Sequence, residues 1–134
     1  MSDLYVARGT GKRQVAVTQI FNIDNGSATV INDAFLIHSQ AISIKRAYVL
    51  YTTATTGTVA AATISLGTTV GGVELVAATA LENSKAVGTT TALTLTAAAA
   101  KVAANTMITA THTGIASTVA GEYRVVVEYE VLSA

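Results

Sequence analysis

GEYRVVVEYEVL, residues Gly121 to Leu132, is the longest uninterrupted strand pattern in the chain. Successive side chains of a strand point to opposite faces, so Tyr123, Val125, Val127, Tyr129 and Val131 share one side. Arg124, Val126, Glu128, Glu130 and Leu132 share the other. The first face is apolar throughout and belongs on a core, whereas the second is mixed. Consecutive valines and paired tyrosines suit a half-buried pleated surface. A strand of this length needs neighbours on both sides, and the rest of the chain reads as their supply.

Upstream of it, Gly114 to Ala120 is a small-residue turn, and TMITATHT, Thr106 to Thr113, is another strand. TAAAAKVAAN, Thr96 to Asn105, has alanine's helix propensity but is too short to hold a helix alone, so it reads as a loop with one helical turn. Thr90 to Thr96 alternates Leu93 and Leu95 with threonines. Leu81 to Gly88 is the most polar interior stretch and is expected to be an exposed loop. Val59 to Leu66 and Val73 to Ala78 read as strands that pair across the turn cluster Gly67 to Gly72. In Ile42 to Thr52, the residues Ile42, Ile44, Tyr48 and Leu50 are expected on one face, with Arg46 intruding and needing a carboxylate such as Glu128 or Glu130. Val15 to Ile23 alternates and stops at Asp24-Asn25-Gly26-Ser27, a hairpin signal because Asn-Gly accepts positive φ, with Ala28 to Ile31 as the return strand. Seven or eight short strands with no strong helix between them argue an all-β, two-sheet antiparallel β-sandwich, and among sandwiches the jelly roll fits best. The domain expected is 15–134, preceded by an extended N-terminal arm, 1–14.

Composition narrows the function classes. The chain has 134 residues, enough for one core. Only 12% are charged, against about 25% in an ordinary soluble domain, so part of the surface is expected to be covered by a partner. A formal net charge of zero supplies no long-range field toward nucleic acid or an anionic membrane. No stretch approaches an 18-residue apolar span, and the N-terminal sequence lacks the apolar segment of a secretory signal, so synthesis and folding in the cytoplasm are expected. The absence of cysteine removes disulfides, thiolate ligands and thiolate nucleophiles.

Candidate chemistry is sparse. Gly9-Thr10-Gly11-Lys12 superficially suggests a phosphate loop, but the glycines are two apart and Arg13 stands where a hydroxyl is needed. Glu128 and Glu130 lie on one strand face about 7 Å apart, a separation that inverting glycosidases use, yet an outward pair of carboxylates is ordinarily solvated. His38 and His112 are the only imidazoles, and they read as a surface histidine and a strand-face histidine rather than metal ligands. No Gly-x-Ser-x-Gly elbow occurs. Without Trp, and with most tyrosines on strands, there is little aromatic platform for sugars or single-stranded nucleic acid. Asn25-Gly26-Ser27 matches a glycosylation acceptor, but the turn reading takes precedence. No catalytic residue, cofactor site, metal site or small-molecule substrate is expected.

Leu93 to Thr96, LTLT, followed by VAANTMITATHT at Val102 to Thr113 and then AGEYRVVVEYEVL, resembles the C-terminal half of small Ala/Thr/Gly-rich structural proteins of tailed bacteriophages. The resemblance implies a jelly-roll capsid decoration, or cement, protein, trimeric on the outside of the shell, with the major capsid protein and copies of itself as partners. It implies no catalytic residue, and the zero net charge and lack of an apolar span argue separately against nucleic acid and membrane as partners. The alternatives are another virion component (fibre base, collar or tail protein) and a carbohydrate-binding or adhesive sandwich. In this setting the arm is expected to order only on a partner, because it has too little apolar surface to offset about 1 to 2 kcal/mol of backbone entropy per residue. Leu4, Tyr5 and Val6 would anchor it, and Arg8, Lys12 and Arg13 would meet carboxylates on the shell.

Overall fold

The computed structural model describes residues 13–24, 26, 29–115 and 119–132. In chain order the strands are β1 (Arg13–Val17), β2 (Phe21–Asn22), β3 (Val30–Leu36), β4 (Ile42–Thr56), β5 (Thr63–Gly67), β6 (Val76–Ala80), β7 (Thr90–Leu93), β8 (Ile108–Thr113) and β9 (Ala120–Val131), with a 3-10 turn at Ala97–Ala100. They form two antiparallel sheets, packed as a sandwich. One is ordered β1-β9-β4-β7, with β2 also on β9, and the other β3-β8-β5-β6. β1 and β2 pair with successive parts of β9. Counting them as a single interrupted strand gives eight strands in the orders 1-8-3-6 and 2-7-4-5, the connectivity of a jelly roll.

β9 is the central strand that the sequence pattern requires, with β1 and β2 on one side and β4 on the other. Its apolar face is buried as expected: Tyr123, Val125 and Val127 are fully enclosed, and Tyr129 and Val131 nearly so. They share one continuous core with Phe21, Val49 and Tyr51 from the same sheet, Ile23 just beyond β2, and Ile64, Leu66, Ile108 and Ala110 from the other sheet. Branched and aromatic side chains fill the space between two sheets about 10 Å apart, which is why the short alternating segments hold together only as a pair of layers.

Three local expectations are corrected. Asp24 to Ser27 does not close a hairpin. The segment before it pairs with β9, while β3 pairs with β8 in the opposite sheet. Asn25, Ser27 and Ala28 lie outside the described residues; Gly26 takes a positive φ, +114°, between a segment paired in one layer and β3, which is paired in the other. In β4 a bulge between Ile44 and Arg46 shifts the alternation. Ile42 and Ile44 point inward, and beyond the bulge Ala47, Val49 and Tyr51 take over, so that Tyr48 and Leu50 accompany Arg46 on the outer face. Finally, Leu81 to Gly88 is only partly a surface loop: Leu81 is buried, and the Asn83 side-chain Oδ1 accepts the Val59 amide at 2.7 Å. The 3-10 turn falls within the Ala-rich segment as expected, and Val102 bridges to Ile42 just after it.

Candidate functional site

The outer face of the β1-β9-β4-β7 sheet follows directly from the register. Arg13 lies opposite Glu130, Val15 opposite Glu128 and Val17 opposite Val126. Across the other side of β9, Arg46 lies opposite Glu128 and Tyr48 opposite Val126. The side chains use this alignment. Arg13 Nη1 is 3.0 Å from Glu128 Oε1, Arg13 Nε is 3.6 Å from Glu130 Oε2, and Arg46 Nη1 is 3.4 Å from Glu128 Oε2. Both guanidinium groups are about half exposed, so the network is a solvated one and the Arg46 charge is not a desolvated charge. The Arg46 guanidinium also lies 4.4 Å from the centre of the Tyr48 ring. Beside these charges runs an apolar row in which Val126 is buried while Val15 and Val17 remain 59% and 44% exposed. Ile20, just beyond β1, is exposed as well.

Of the six residues expected to contact a partner, Leu4, Tyr5, Val6, Arg8 and Lys12 lie outside the described residues. Arg13 is the first residue of β1 and belongs to the ion network above. Glu128 and Glu130, the carboxylates with a glycosidase-like separation, are both engaged by Arg13.

The two histidines are far apart. The His38 ring packs edge-on to Tyr129, 6.3 Å between centres. The His112 ring stacks on Phe21 at 5.3 Å and tilts against Tyr123. Tyr123 and Tyr129 are six positions apart on β9, roughly 20 Å by strand rise. His112 is wholly buried, not a mere strand-face residue. Its Nδ1 is hydrogen-bonded to Tyr123 Oη, and its Nε2 has no hydrogen-bond partner among the described residues. Burial lowers its pKa from 6.5 to about 4, offset in part by the Asn22 backbone. The same enclosure pushes the Tyr123 hydroxyl well above its ordinary value. The alternation of Ile108, Ala110 and His112 with Thr109, Thr111 and Thr113 is the signal in the sequence that places this imidazole on the inward side.

A second polar cluster, which sequence reasoning missed, ties the 81–88 segment to β4 and β7. Tyr51 Oη is bonded to Thr91 Oγ1 at 2.8 Å and accepts the Glu82 amide at 3.0 Å. Thr91 donates to Glu82 Oε1 at 2.6 Å, and Lys85 Nζ is 3.3 Å from the same oxygen. The Thr91 hydroxyl, then Lys85, hold the Glu82 carboxyl below its ordinary pKa. Glu74 is also lowered, chiefly by the Thr68 amide it accepts at 2.9 Å, and it pins the 67–74 turn.

An open cleft of about 400 Å³ is lined by Asn22, Asp24, Thr53, Val119, Ala120, Gly121 and Glu122. Within it the Asn22 side chain accepts the Asp24 amide at 3.2 Å, and Thr53 donates to Glu122 at 3.0 Å. The Thr53–Glu122 bond ties β4 to the start of β9. Among the described residues, no three His, Asp or Glu side chains converge as metal ligands would.

The architecture has a counterpart among solved structures. A chain of the cyanophage Pam1 capsid asymmetric unit superposes with a TM-score of 0.60 at 16% identity, over 91% of this chain and 86% of that one. At that identity the similarity establishes a shared fold. No family model matches the chain, and no curated protein matches it in sequence.

Proposed function

We propose that the protein is a non-enzymatic structural component of a bacteriophage capsid, bound to the outside of the shell and stabilising it as a decoration, or cement, protein. The observation that carries this reading is the near-complete structural correspondence with a chain of a phage capsid asymmetric unit. The chemistry of the surface is consistent with it: the carboxylates of the outer sheet face are neutralised by arginines, and Val15, Val17 and Ile20 present apolar area near the β1 edge. Edges and apolar faces of this kind are suited to being covered in an assembly. The partners proposed are the major capsid protein and copies of this chain, the latter as a homotrimer. The N-terminal residues Leu4, Tyr5, Val6, Arg8 and Lys12 are proposed to extend the contact to the shell.

The test is to add purified protein to shells lacking it, then measure occupancy and the temperature at which the shells disassemble. Saturable binding with a raised disassembly temperature is expected. Absence of binding over a range of salt concentrations would remove the decoration role. Sedimentation of the protein alone should show a trimer, and a stable monomer both in solution at micromolar concentration and on shells would remove the trimer.

A further inference from the structure

The seam between the two sheets contains a titratable group that neither the ion network nor the capsid reading uses. His112, on β8, is fully enclosed and projects between layers. β2 contributes the stacked Phe21 ring and the Asn22 backbone. β9 contributes Tyr123, which bonds Nδ1, and β4 contributes Tyr51 behind it, with ring centres 6.5 Å apart. The cross-strand neighbours of His112 are Ile31 on β3 and Ile64 on β5. The titratable groups facing the ring from these elements are therefore the phenols of Tyr123 and Tyr51. The nearest carboxylate in the β3 register is Asp33, one inward position along from Ile31, and it accepts the Gln19 amide at 2.8 Å.

We propose that His112 is an acid-sensitive latch: while neutral it closes the β2–β8–β9 seam, and uptake of a proton on its ring drives the two sheets apart there. The neutral ring stacks on Phe21 and satisfies the Tyr123 hydroxyl. In the imidazolium both ring nitrogens are donors. Nδ1 can still donate to Tyr123 Oη, but Nε2 makes no hydrogen bond among the described residues, the Asn22 backbone beside the ring offsets the burial only in part, and no described carboxylate is paired with the ring. The remaining cost of enclosing the cation there is relieved by opening to water.

The direction of the pH dependence is fixed by the two states. In the unfolded chain the imidazole titrates near 6.5, and in the folded chain near 4. The stability that the neutral ring contributes is complete above about pH 6.5, declines as the pH falls through that window, and is lost below about 4. Full passage is worth about 300-fold in the folding equilibrium constant, of which about 25-fold falls between pH 7.5 and pH 5. The shifted carboxylates, Glu74 and Glu82, act lower: with ordinary values of 4.5 they change the equilibrium by less than about 1.5-fold each down to pH 5.

The experiment is urea unfolding of the full-length protein at pH 7.5, 6 and 5, for wild type, His112→Phe and His112→Gln, with imidazole NMR of the wild type over the same range. The wild type should lose about 25-fold in its folding equilibrium constant by pH 5, and the variants less than about 3-fold, whatever their stability at pH 7.5. His112 in the folded protein should remain neutral at pH 5. An unchanged slope in either variant that folds, or a wild-type loss below about 3-fold, would overturn the proposal. If neither variant folds, the NMR titration decides: a His112 ring charged at pH 5 in the folded protein contradicts it, and a neutral ring with the wild-type loss supports it.

Discussion

Adjacent residues on β9 should respond in opposite ways to substitution. Val127 is fully buried and lies between Ala16 on β1 and Ala47 on β4, with no polar partner across either pairing. Val127→Asp forfeits about 1.5 to 3 kcal/mol of side-chain burial. It also encloses a carboxyl group without a hydrogen-bond partner, at a further cost of about 2 to 7 kcal/mol even after the group has been neutralised. The sum is comparable to the whole stability of a typical domain, about 5 to 15 kcal/mol, so the variant should lack a cooperative unfolding transition at neutral pH. Glu128, one residue along, points outward and bonds Arg13 and Arg46, whose side chains are 48% and 59% exposed. Glu128→Gln should cost no more than about 1 kcal/mol, since exposed ion pairs contribute little. Glu130→Gln, which loosens one 3.6 Å contact, should be nearly silent. Circular dichroism melts and urea titrations of the three variants read the contrast. A cooperatively folded Val127→Asp protein, or loss of folding in either glutamine variant, would refute the assignment of the two faces.

Gly121 sits at φ +148° at the start of β9, and an added Cβ would come within 3.0 Å of both Ile23 Cδ1 and Thr55 Cγ2. Gly121→Ala should therefore destabilise by about 2 to 4 kcal/mol from backbone strain plus crowding, measured by urea unfolding; a change under about 0.5 kcal/mol would contradict the geometry. Tyr51→Phe leaves the buried Thr91 hydroxyl and the Glu82 amide short of a partner, so about 1 to 3 kcal/mol should be lost and amide exchange at Glu82 should accelerate. Unchanged exchange would mean that the 81–88 segment is held by other contacts. A protein beginning at Gln14 should occupy undecorated shells less than the full-length chain, with the difference shrinking as salt rises. Equal occupancy and equal salt dependence would move the shell contact onto the sandwich.

How far the fold was legible depends on the range of the forces involved. The β9 pattern could be read because its alternation is unbroken from Tyr123 to Val131 and one face is committed to the core. The β5–β6 pair was legible for a local reason too: its strands flank the Gly67 to Gly72 turn cluster. What failed was information held by distant partners. Asn25-Gly26 announces a reversal with positive φ, but whether the chain returns to the same sheet depends on β8, over eighty residues away, which takes β3 into the other layer. The bulge at Ile44 to Arg46 moves one extra residue into β4, and a strict period of two then assigns every later side chain to the wrong face. The Arg46 to Glu128 pair survived that error because both outer-face residues are set by their own register. Glu82, Asn83 and Lys85 look like solvent-facing residues by composition; their partners Tyr51, Val59 and Thr55 are brought to them only by folding.

Quantitative mass spectrometry of purified virus particles tests most directly whether the protein is a capsid component. Decoration predicts peptides of this protein in intact particles at a copy number close to that of the major shell protein. A few copies per particle would instead indicate a fibre base, collar or tail position, and absence from particles that contain the shell protein would contradict the claim altogether.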